Sequence, residues 1–171
     1  MNNYQSMAWK VFRCMSGWLK KSLDWFIIVI VISNHKNMDN CIFCKIIIRE
    51  VPNYTVYEDD FALAFLDVTP RSKGHTLVIP KVHAKNLLEL DEIHTKNLLL
   101  AVKKSQEKIE QVLHPDGYNI GWNHGDAGGQ LVPHLHIHIM PRWTDDGGSN
   151  MHAIVNNPGG ESVEEVYQLF K

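Results

Sequence analysis

Hydrophobic and polar residues alternate over residues 38–171 in a pattern that predicts β-strands on both sides of a helix. Residues 55–57 and 61–66 are largely apolar and flank an acidic turn at residues 58–60, which predicts a β-hairpin. Residues 75–79 form a short apolar run that ends at Pro80, which is typical of a buried third strand. The first half of this region is therefore expected to contribute to an antiparallel sheet.

The second half begins with a long helical pattern. Apolar side chains recur at helical spacing over residues 87–113, with charged residues between them, and residues 114–117 (HPDG) form a stop signal. Residues 118–122 and 133–140 predict two more strands around a glycine-rich loop, and residues 42–48 predict a turn or short helix. The predicted fold is α+β: a mainly antiparallel sheet of about five strands, one long helix and a short N-terminal helix.

Composition narrows the function classes. The 171 residues are 44% hydrophobic and 21% charged, which is typical of soluble globular proteins and excludes disordered and disulfide-dense chains. A formal charge of −2 disfavours nucleic-acid binding, because that function needs a basic surface. Three cysteines are too few for a disulfide framework, whereas ten histidines are many for this length. The composition therefore points to imidazole and thiolate chemistry.

Residues 1–37 differ from the rest of the chain. They carry five basic side chains and one acidic side chain, a charge of +4 that leaves −6 on residues 38–171. Their apolar run, residues 25–32, is shorter than the about 20 residues of a membrane-spanning helix, and no small-residue cleavage site of a secretory signal follows it. We expect a dispensable extension over residues 1–37, with translation of a compact domain starting at Met38, and membrane association is disfavoured.

The most informative segment is residues 133–140, where three histidines alternate with apolar residues. Because strand side chains alternate between faces, this pattern predicts His134, His136 and His138 on one face and the intervening apolar residues in the core. Crowded imidazoles disfavour simultaneous protonation, and a hydrogen bond to one ring nitrogen decides which nitrogen can react. The segment therefore indicates nucleophilic catalysis, with a metal site as the alternative reading.

The segment HLHIHIM (residues 134–140) resembles the signature of the histidine triad family. Further segments similar to that family occur in the expected order: CIFCKI (residues 41–46), AFLD (residues 64–67), GHTLVIPK (residues 74–81), and Asn123 ahead of Gly129-Gln130. The resemblance extends from about Cys41 to Arg142. It implies a nucleotide hydrolase or transferase that cleaves at a nucleoside α-phosphate through a covalent nucleotidyl-histidine intermediate.

The resemblance also implies catalytic roles. His136 would be the nucleophile, because a neutral imidazole nitrogen is available near neutral pH, and His138 would meet the phosphate or leaving group and assist proton transfer. Asn123 and Gln130 would donate amide hydrogens to phosphate oxygens, beside glycines that allow close backbone approach. Leu131 stands where family members often carry a hydroxyl side chain, so one hydrogen bond to phosphate is expected to be missing or supplied by the backbone.

The nucleoside end of the site is also inferred from the resemblance. Asp67 would bind the ribose hydroxyls, as an acceptor-only carboxylate can, and an apolar slot would hold the base. The slot would consist of Ile42, Phe43, Phe65 and Val68. Without the resemblance, these apolar residues are expected in the core by default.

Cys41 and Cys44 have the spacing of two thiolate ligands on one zinc ion, but two cysteines are only half of a structural site. Zinc-containing relatives of the histidine triad family complete the coordination with histidines that correspond to His83 and His134. The resemblance thus implies a structural zinc ion on two cysteines and two histidines. A redox pair or two inert thiols are the alternatives.

These observations predict an enzyme that acts on purine nucleotides and hydrolyses a nucleoside phosphoramidate or a similar adenylate adduct. A dinucleoside polyphosphate hydrolase would use the same residues, and a zinc-stabilised nucleotide-binding module without turnover is the non-enzymatic alternative. The family implies a homodimer, and we expect a cytoplasmic protein with no nucleic-acid partner.

Overall fold

A computed structural model describes residues 40–171, which fall into two units. The first unit ends at Pro52 and the second spans Asn53–Lys171. The predicted extension over residues 1–37, with its apolar run and Cys14, lies outside the described residues, and so does the expected start at Met38. The domain boundary therefore stays a prediction.

The described part of the first unit contains helix α1, Ile42–Ile47, where the sequence predicts a turn or short helix. Phe43, Cys44 and Ile46 are buried, which is the spacing of one face of a helix. The backbone leaves the helix after Ile48, and Arg49 adopts a left-handed conformation with φ of 66°. The short N-terminal helix is confirmed.

The second unit contains a five-stranded sheet in the order β1-β2-β3-β5-β4, with every neighbouring pair antiparallel. Its strands are β1 (Thr55–Glu58), β2 (Ala62–Leu66), β3 (Thr76–Pro80), β4 (Gly117–Gly121) and β5 (Ile137–Arg142). The predicted hairpin joins β1 to β2, and Asp59 closes its turn by accepting hydrogen bonds from two amides at 2.8 Å. The α+β class and the sheet are therefore as predicted.

Helix α2, Glu92–Leu113, begins five residues later than predicted. Asp91 caps it by accepting a hydrogen bond from the His94 amide at 2.8 Å, and Leu87–Glu89 form a separate 3₁₀ turn. The buried face of α2 includes Leu98, Ala101 and Ile109. Leu88, Ile93 and Val112, which the sequence places on the apolar face, are instead exposed. The prediction of one continuous helix from residue 87 is thus wrong at its start.

Helix α2 and the sheet enclose the core, to which β5 contributes Ile137 and Ile139. Burial alternates along β5, so His138, Met140 and Arg142 lie on the opposite face of the sheet. We call this surface of the sheet the open face. The fold therefore leaves the open face of β5 available for chemistry.

Strand β5 begins at Ile137, so the prediction of a strand over residues 133–140 is wrong for its first four positions. Pro133 has no amide hydrogen to donate, and the chain before β5 is held by a hydrogen bond from the Leu135 amide to the Ala84 carbonyl at 2.7 Å. Strand alternation therefore applies to His138 alone among the three histidines. His134 and His136 are oriented by other contacts.

The C-terminal region adds two short elements that the sequence analysis does not predict. Met151–Ala153 form a 3₁₀ turn, and helix α3, Val163–Gln168, starts with a capping box between Ser162 and Glu165. No helix within residues 40–171 combines the length and the apolar character that crossing a membrane requires. Both added elements lie after the region of histidine triad resemblance.

Replacing Gly74 by alanine should destabilise the fold by about 1–3 kcal/mol. Gly74 has φ of 78°, and an added Cβ would lie 2.3 Å from Cδ1 of Leu113. The free energy of unfolding in urea measures the loss. Gly117→Ala is the matched control, because a Cβ there meets nothing within 4 Å. An equal loss in both variants would contradict the packing interpretation.

Candidate active site

His136 is buried, with 6% of its surface exposed, and lies immediately before β5. Its Nδ1 is 2.7 Å from the backbone carbonyl oxygen of His134. Because a carbonyl only accepts, Nδ1 must carry the proton, and in the neutral ring the lone pair is then on Nε2. The local backbone thus selects the tautomer in which Nε2 of His136 can act as a nucleophile.

His138 lies beside His136 on the open face. The centroids of the two rings are 5.1 Å apart, in an edge-to-face arrangement. The pKa of His138 is lowered to about 4, mainly by burial and to a smaller extent by the nearby His136 and His75. His138 is therefore a neutral imidazole at pH 7.

His75, to which the sequence analysis assigns no role, contacts His138. Nε2 of His75 is 2.9 Å from Nδ1 of His138, although the two residues are 63 positions apart. Burial lowers the pKa of His75, while the charge of Asp67 opposes this shift. The residues around His75 resemble the family pattern, but nothing local indicates that its ring would meet the third histidine.

Asp67 follows β2, and its carboxylate contacts Thr69 and His75. Oδ1 accepts hydrogen bonds from the amide and hydroxyl of Thr69, at 2.8 and 3.2 Å, and Oδ2 is 3.5 Å from Nδ1 of His75. Asp67, His75 and His138 form one group of potential metal ligands. However, the 2.9 Å contact between the two rings has the length of a hydrogen bond, and tetrahedral zinc would hold two nitrogens about 3.3 Å apart. His75 and His138 are thus a hydrogen-bonded pair, with the carboxylate of Asp67 beside it.

The glycine-rich loop holds the other two predicted catalytic residues. Gln130 hydrogen bonds to backbone groups of its own loop and of Lys85: its amide nitrogen donates to the carbonyls of Lys85 and Val132 at 2.7 and 3.0 Å, and its oxygen accepts from the Gly125 amide at 3.0 Å. Asn123 is exposed, and its amide donates to the Gly129 carbonyl at 3.4 Å. Both amide hydrogens of Gln130 are therefore engaged, and donating one to a phosphate would require one of these bonds to break. In this structure, Gln130 positions the loop.

The residues predicted at the nucleoside end differ in exposure. In the first unit, Phe43 is buried and Ile42 is 42% exposed. In the second unit, Phe65 is buried and Val68 is 83% exposed. Phe65 is paired with Leu77, which is paired with His138, so these three side chains lie on one face of the sheet. The register therefore places the ring of Phe65 on the open face with the histidines.

The histidines predicted as metal ligands are in contact. The rings of His83 and His134 have centroids 5.1 Å apart. His134 is fully buried, and its Nε2 donates to the carbonyl oxygen of Pro80 at 3.0 Å, which leaves the lone pair on Nδ1. A histidine that binds a metal ion through one ring nitrogen typically donates the hydrogen of its other ring nitrogen to an acceptor such as a backbone carbonyl.

Both cysteines predicted as metal ligands are buried at the start of α1. Burial, with the charge of Cys41, raises the pKa of Cys44 to about 12, so a cation would be required to hold both thiolates. Cys41 and Cys44 in the first unit and His83 and His134 in the second unit are the four residues that the sequence predicts as metal ligands. Two thiolates and two neutral imidazoles are a ligand set that suits zinc.

Comparisons with known proteins identify similar chains. Residues 48–145 match the family model described as HIT domain. An uncharacterized HIT-like protein of Methanocaldococcus jannaschii is 50% identical over 107 residues, which cover 63% of this chain and 82% of that protein. An adenosine 5'-monophosphoramidase of Schizosaccharomyces pombe is 40% identical over 109 residues, which cover 64% of this chain and 79% of the relative.

A third relative is an adenylylsulfatase of Arabidopsis thaliana, 40% identical over 108 residues that cover 63% of this chain and 55% of that protein. Among solved structures, a crystal structure of a HIT family member from Bacillus subtilis superposes with a TM-score of 0.68 at 39% identity. The match covers 77% of this chain and 92% of that structure. Sequence and fold comparisons therefore agree.

Proposed function

This chain belongs to the HIT (histidine triad) family, and from that premise we propose that it is a nucleotide hydrolase that cleaves at a nucleoside α-phosphate. Its substrate would be a purine nucleoside phosphoramidate or a similar adenylate adduct. Two relatives are named adenosine 5'-monophosphoramidase and adenylylsulfatase, which supports an adenylate group as the part of the substrate that is recognised.

The observation that carries the proposal is the orientation of His136. Its Nδ1 donates to the His134 carbonyl at 2.7 Å, so the reactive lone pair is on Nε2. A nucleophilic histidine needs this tautomer in the resting state. The neighbouring His138 and the glycine-rich loop would surround the phosphate as the bond to His136 forms.

In the proposed reaction, Nε2 of His136 attacks the α-phosphorus and forms a phosphorus–nitrogen bond. The leaving group departs with the electron pair of its own bond to phosphorus and takes up a proton from His138. Water then attacks phosphorus and returns a proton to His138, the bond to His136 breaks, and the nucleoside monophosphate leaves. Asn123 and Gln130 would position the phosphate, and Asp67 would bind the ribose hydroxyls.

Intact-mass spectrometry after a rapid quench with a fluorogenic adenosine phosphoramidate tests the proposal. We expect a transient increase of one adenylyl group, located on His136 by peptide mapping. Faster hydrolysis of a diadenosine polyphosphate would instead favour the dinucleoside polyphosphate hydrolase. Tight nucleotide binding without adduct or turnover would favour the binding module.

We propose further that Cys41, Cys44, His83 and His134 hold one structural zinc ion. The tautomer of His134, set by the Pro80 carbonyl, offers a nitrogen lone pair to a metal. When bound, zinc would stabilise the thiolates and restrain the segment before the catalytic histidines. The residues of this chain that carry out the chemistry remain His136 and His138.

Because the family suggests it, we also propose that the protein is a cytoplasmic homodimer. Val163 and Tyr167 of helix α3 are exposed, and so is Phe170, two residues beyond the end of the helix. Exposed apolar side chains that lie near one another favour contact with another protein surface. Light scattering coupled to gel filtration measures the mass in solution, and a monomer at micromolar concentration would contradict the dimer.

Deleting residues 1–37 should leave specific activity unchanged. Every residue proposed for catalysis, nucleotide binding or zinc lies between Cys41 and His138. The apolar run at residues 25–32 could associate with membranes or pair as an exposed strand, so its removal should also improve solubility. Steady-state kinetics of the truncated and full chains measure this. A folded truncated protein that loses most of its turnover would show that the extension contributes to the active site.

A further inference from the structure

We propose that His75 is a positioning residue that fixes the tautomer of His138, so that His138 presents a protonated Nε2 to the substrate. The inference rests on the proposed function, because it concerns how the same site meets the phosphate or the leaving group. It depends on a chain of three hydrogen-bonding groups that begins at the backbone of Arg71.

The first group is the backbone amide of Arg71. Its nitrogen is 3.2 Å from Nδ1 of His75, and the geometry is that of a hydrogen bond donated by the amide. A backbone N–H can only donate, so Nδ1 of His75 must provide a lone pair. A neutral His75 therefore carries its proton on Nε2.

The second group is Nε2 of His75, which lies 2.9 Å from Nδ1 of His138. Since Nε2 of His75 carries the proton, it donates to Nδ1 of His138, which must accept. A neutral His138 consequently has its own proton on Nε2. The tautomer set by a backbone amide is thus transmitted through one imidazole to the next.

The third group is Nε2 of His138. This atom is buried and has no hydrogen-bond partner among residues 40–171. The ring of His138 lies against that of His136, where the reacting phosphate is proposed to bind. A donor held at this position would hydrogen bond to a phosphoryl oxygen or to the leaving atom as negative charge develops there.

Asp67 favours the opposite tautomer and is the main competing influence. A protonated Nδ1 of His75 could donate to Oδ2 of Asp67, and His138 would then offer a lone pair at Nε2. That contact is 3.5 Å, longer than an ordinary hydrogen bond, and Oδ1 of the same carboxylate is engaged by Thr69. Burial also lowers the pKa of both rings and so favours the neutral form of each. The geometry therefore favours the Arg71 amide.

Nuclear magnetic resonance of the ¹⁵N-histidine-labelled full chain at pH 7.5, without substrate, distinguishes protonated from unprotonated ring nitrogens. In the wild type we expect a protonated Nε2 and an unprotonated Nδ1 for His138. In His75→Leu, which removes the donor at similar volume, we expect a mixture of tautomers. In His75→Gln, whose amide can both accept and donate, the wild-type pattern should persist.

Kinetics with the adenosine phosphoramidate provide the second readout. His75→Leu should lower kcat by about tenfold or more with a smaller change in KM, and His75→Gln should recover most of the loss. His152→Leu is the matched control, since His152 is exposed and has no part in this chain of hydrogen-bonding groups. A wild-type His138 protonated at Nδ1, or an unchanged tautomer in His75→Leu, would overturn the proposal. Because the spectra need no substrate, these results are separable from a failure of the proposed function.

Discussion

Replacing His136 by alanine should lower kcat/KM by about 10³-fold or more, because the covalent step then has no nucleophile. The neighbouring histidines cannot substitute for it. His134 is turned to the Pro80 carbonyl and His138 hydrogen bonds to His75, so neither is placed where the lone pair of His136 lies. The adenylyl adduct should disappear together with turnover.

Steady-state rates and intact-mass spectra of purified His136→Ala measure this loss, and circular dichroism verifies that the variant is folded. His152→Ala, an exposed histidine outside the site, is the matched control and should retain its activity. Turnover by folded His136→Ala within about tenfold of the wild type would refute the assignment of the nucleophile, since losing it should cost several kcal/mol of barrier.

Replacing Cys44 by serine should remove zinc and lower the melting temperature by about 10 °C or more. Structural zinc in small sites contributes about 10 kcal/mol or more of binding free energy, and only part of it needs to be lost to destabilise the fold. Catalysis should suffer indirectly, because His134 supports His136 through its backbone carbonyl. Elemental analysis of the wild type should find about one zinc per chain.

Cys14→Ser is the matched control for this experiment, since the remaining cysteine is not among the proposed ligands. It should keep its full zinc content and its melting temperature. A wild-type preparation that is freed of metal by a chelator and still melts at its original temperature would contradict a structural zinc site. If Cys41 and Cys44 formed a redox pair instead, reducing the protein with a dithiol would increase its mass by two hydrogens.

The histidine motif and the fold class could be predicted from the sequence because both depend on the spacing of residues within short segments of the chain. Alternation and helical spacing report which side of each element is apolar, and this correctly identified the hairpin and the buried β3. The start of α2 was predicted wrongly, although the Asp91 cap is itself a local signal. The apolar residues before it continued the periodic pattern and concealed the break.

The tertiary structure alone decided which nitrogen of His134 and of His138 carries the proton. Nε2 of His134 faces a carbonyl 54 positions away, and Nδ1 of His138 faces a ring 63 positions away. Local spacing contains no information about such partners, because they are brought together only when β3 and β5 pair in one register. By itself, the sequence predicted the side chains proposed to carry the chemistry, except for His75. Packing determined the tautomers of His134 and His138, because a ring nitrogen responds to the atom that it touches.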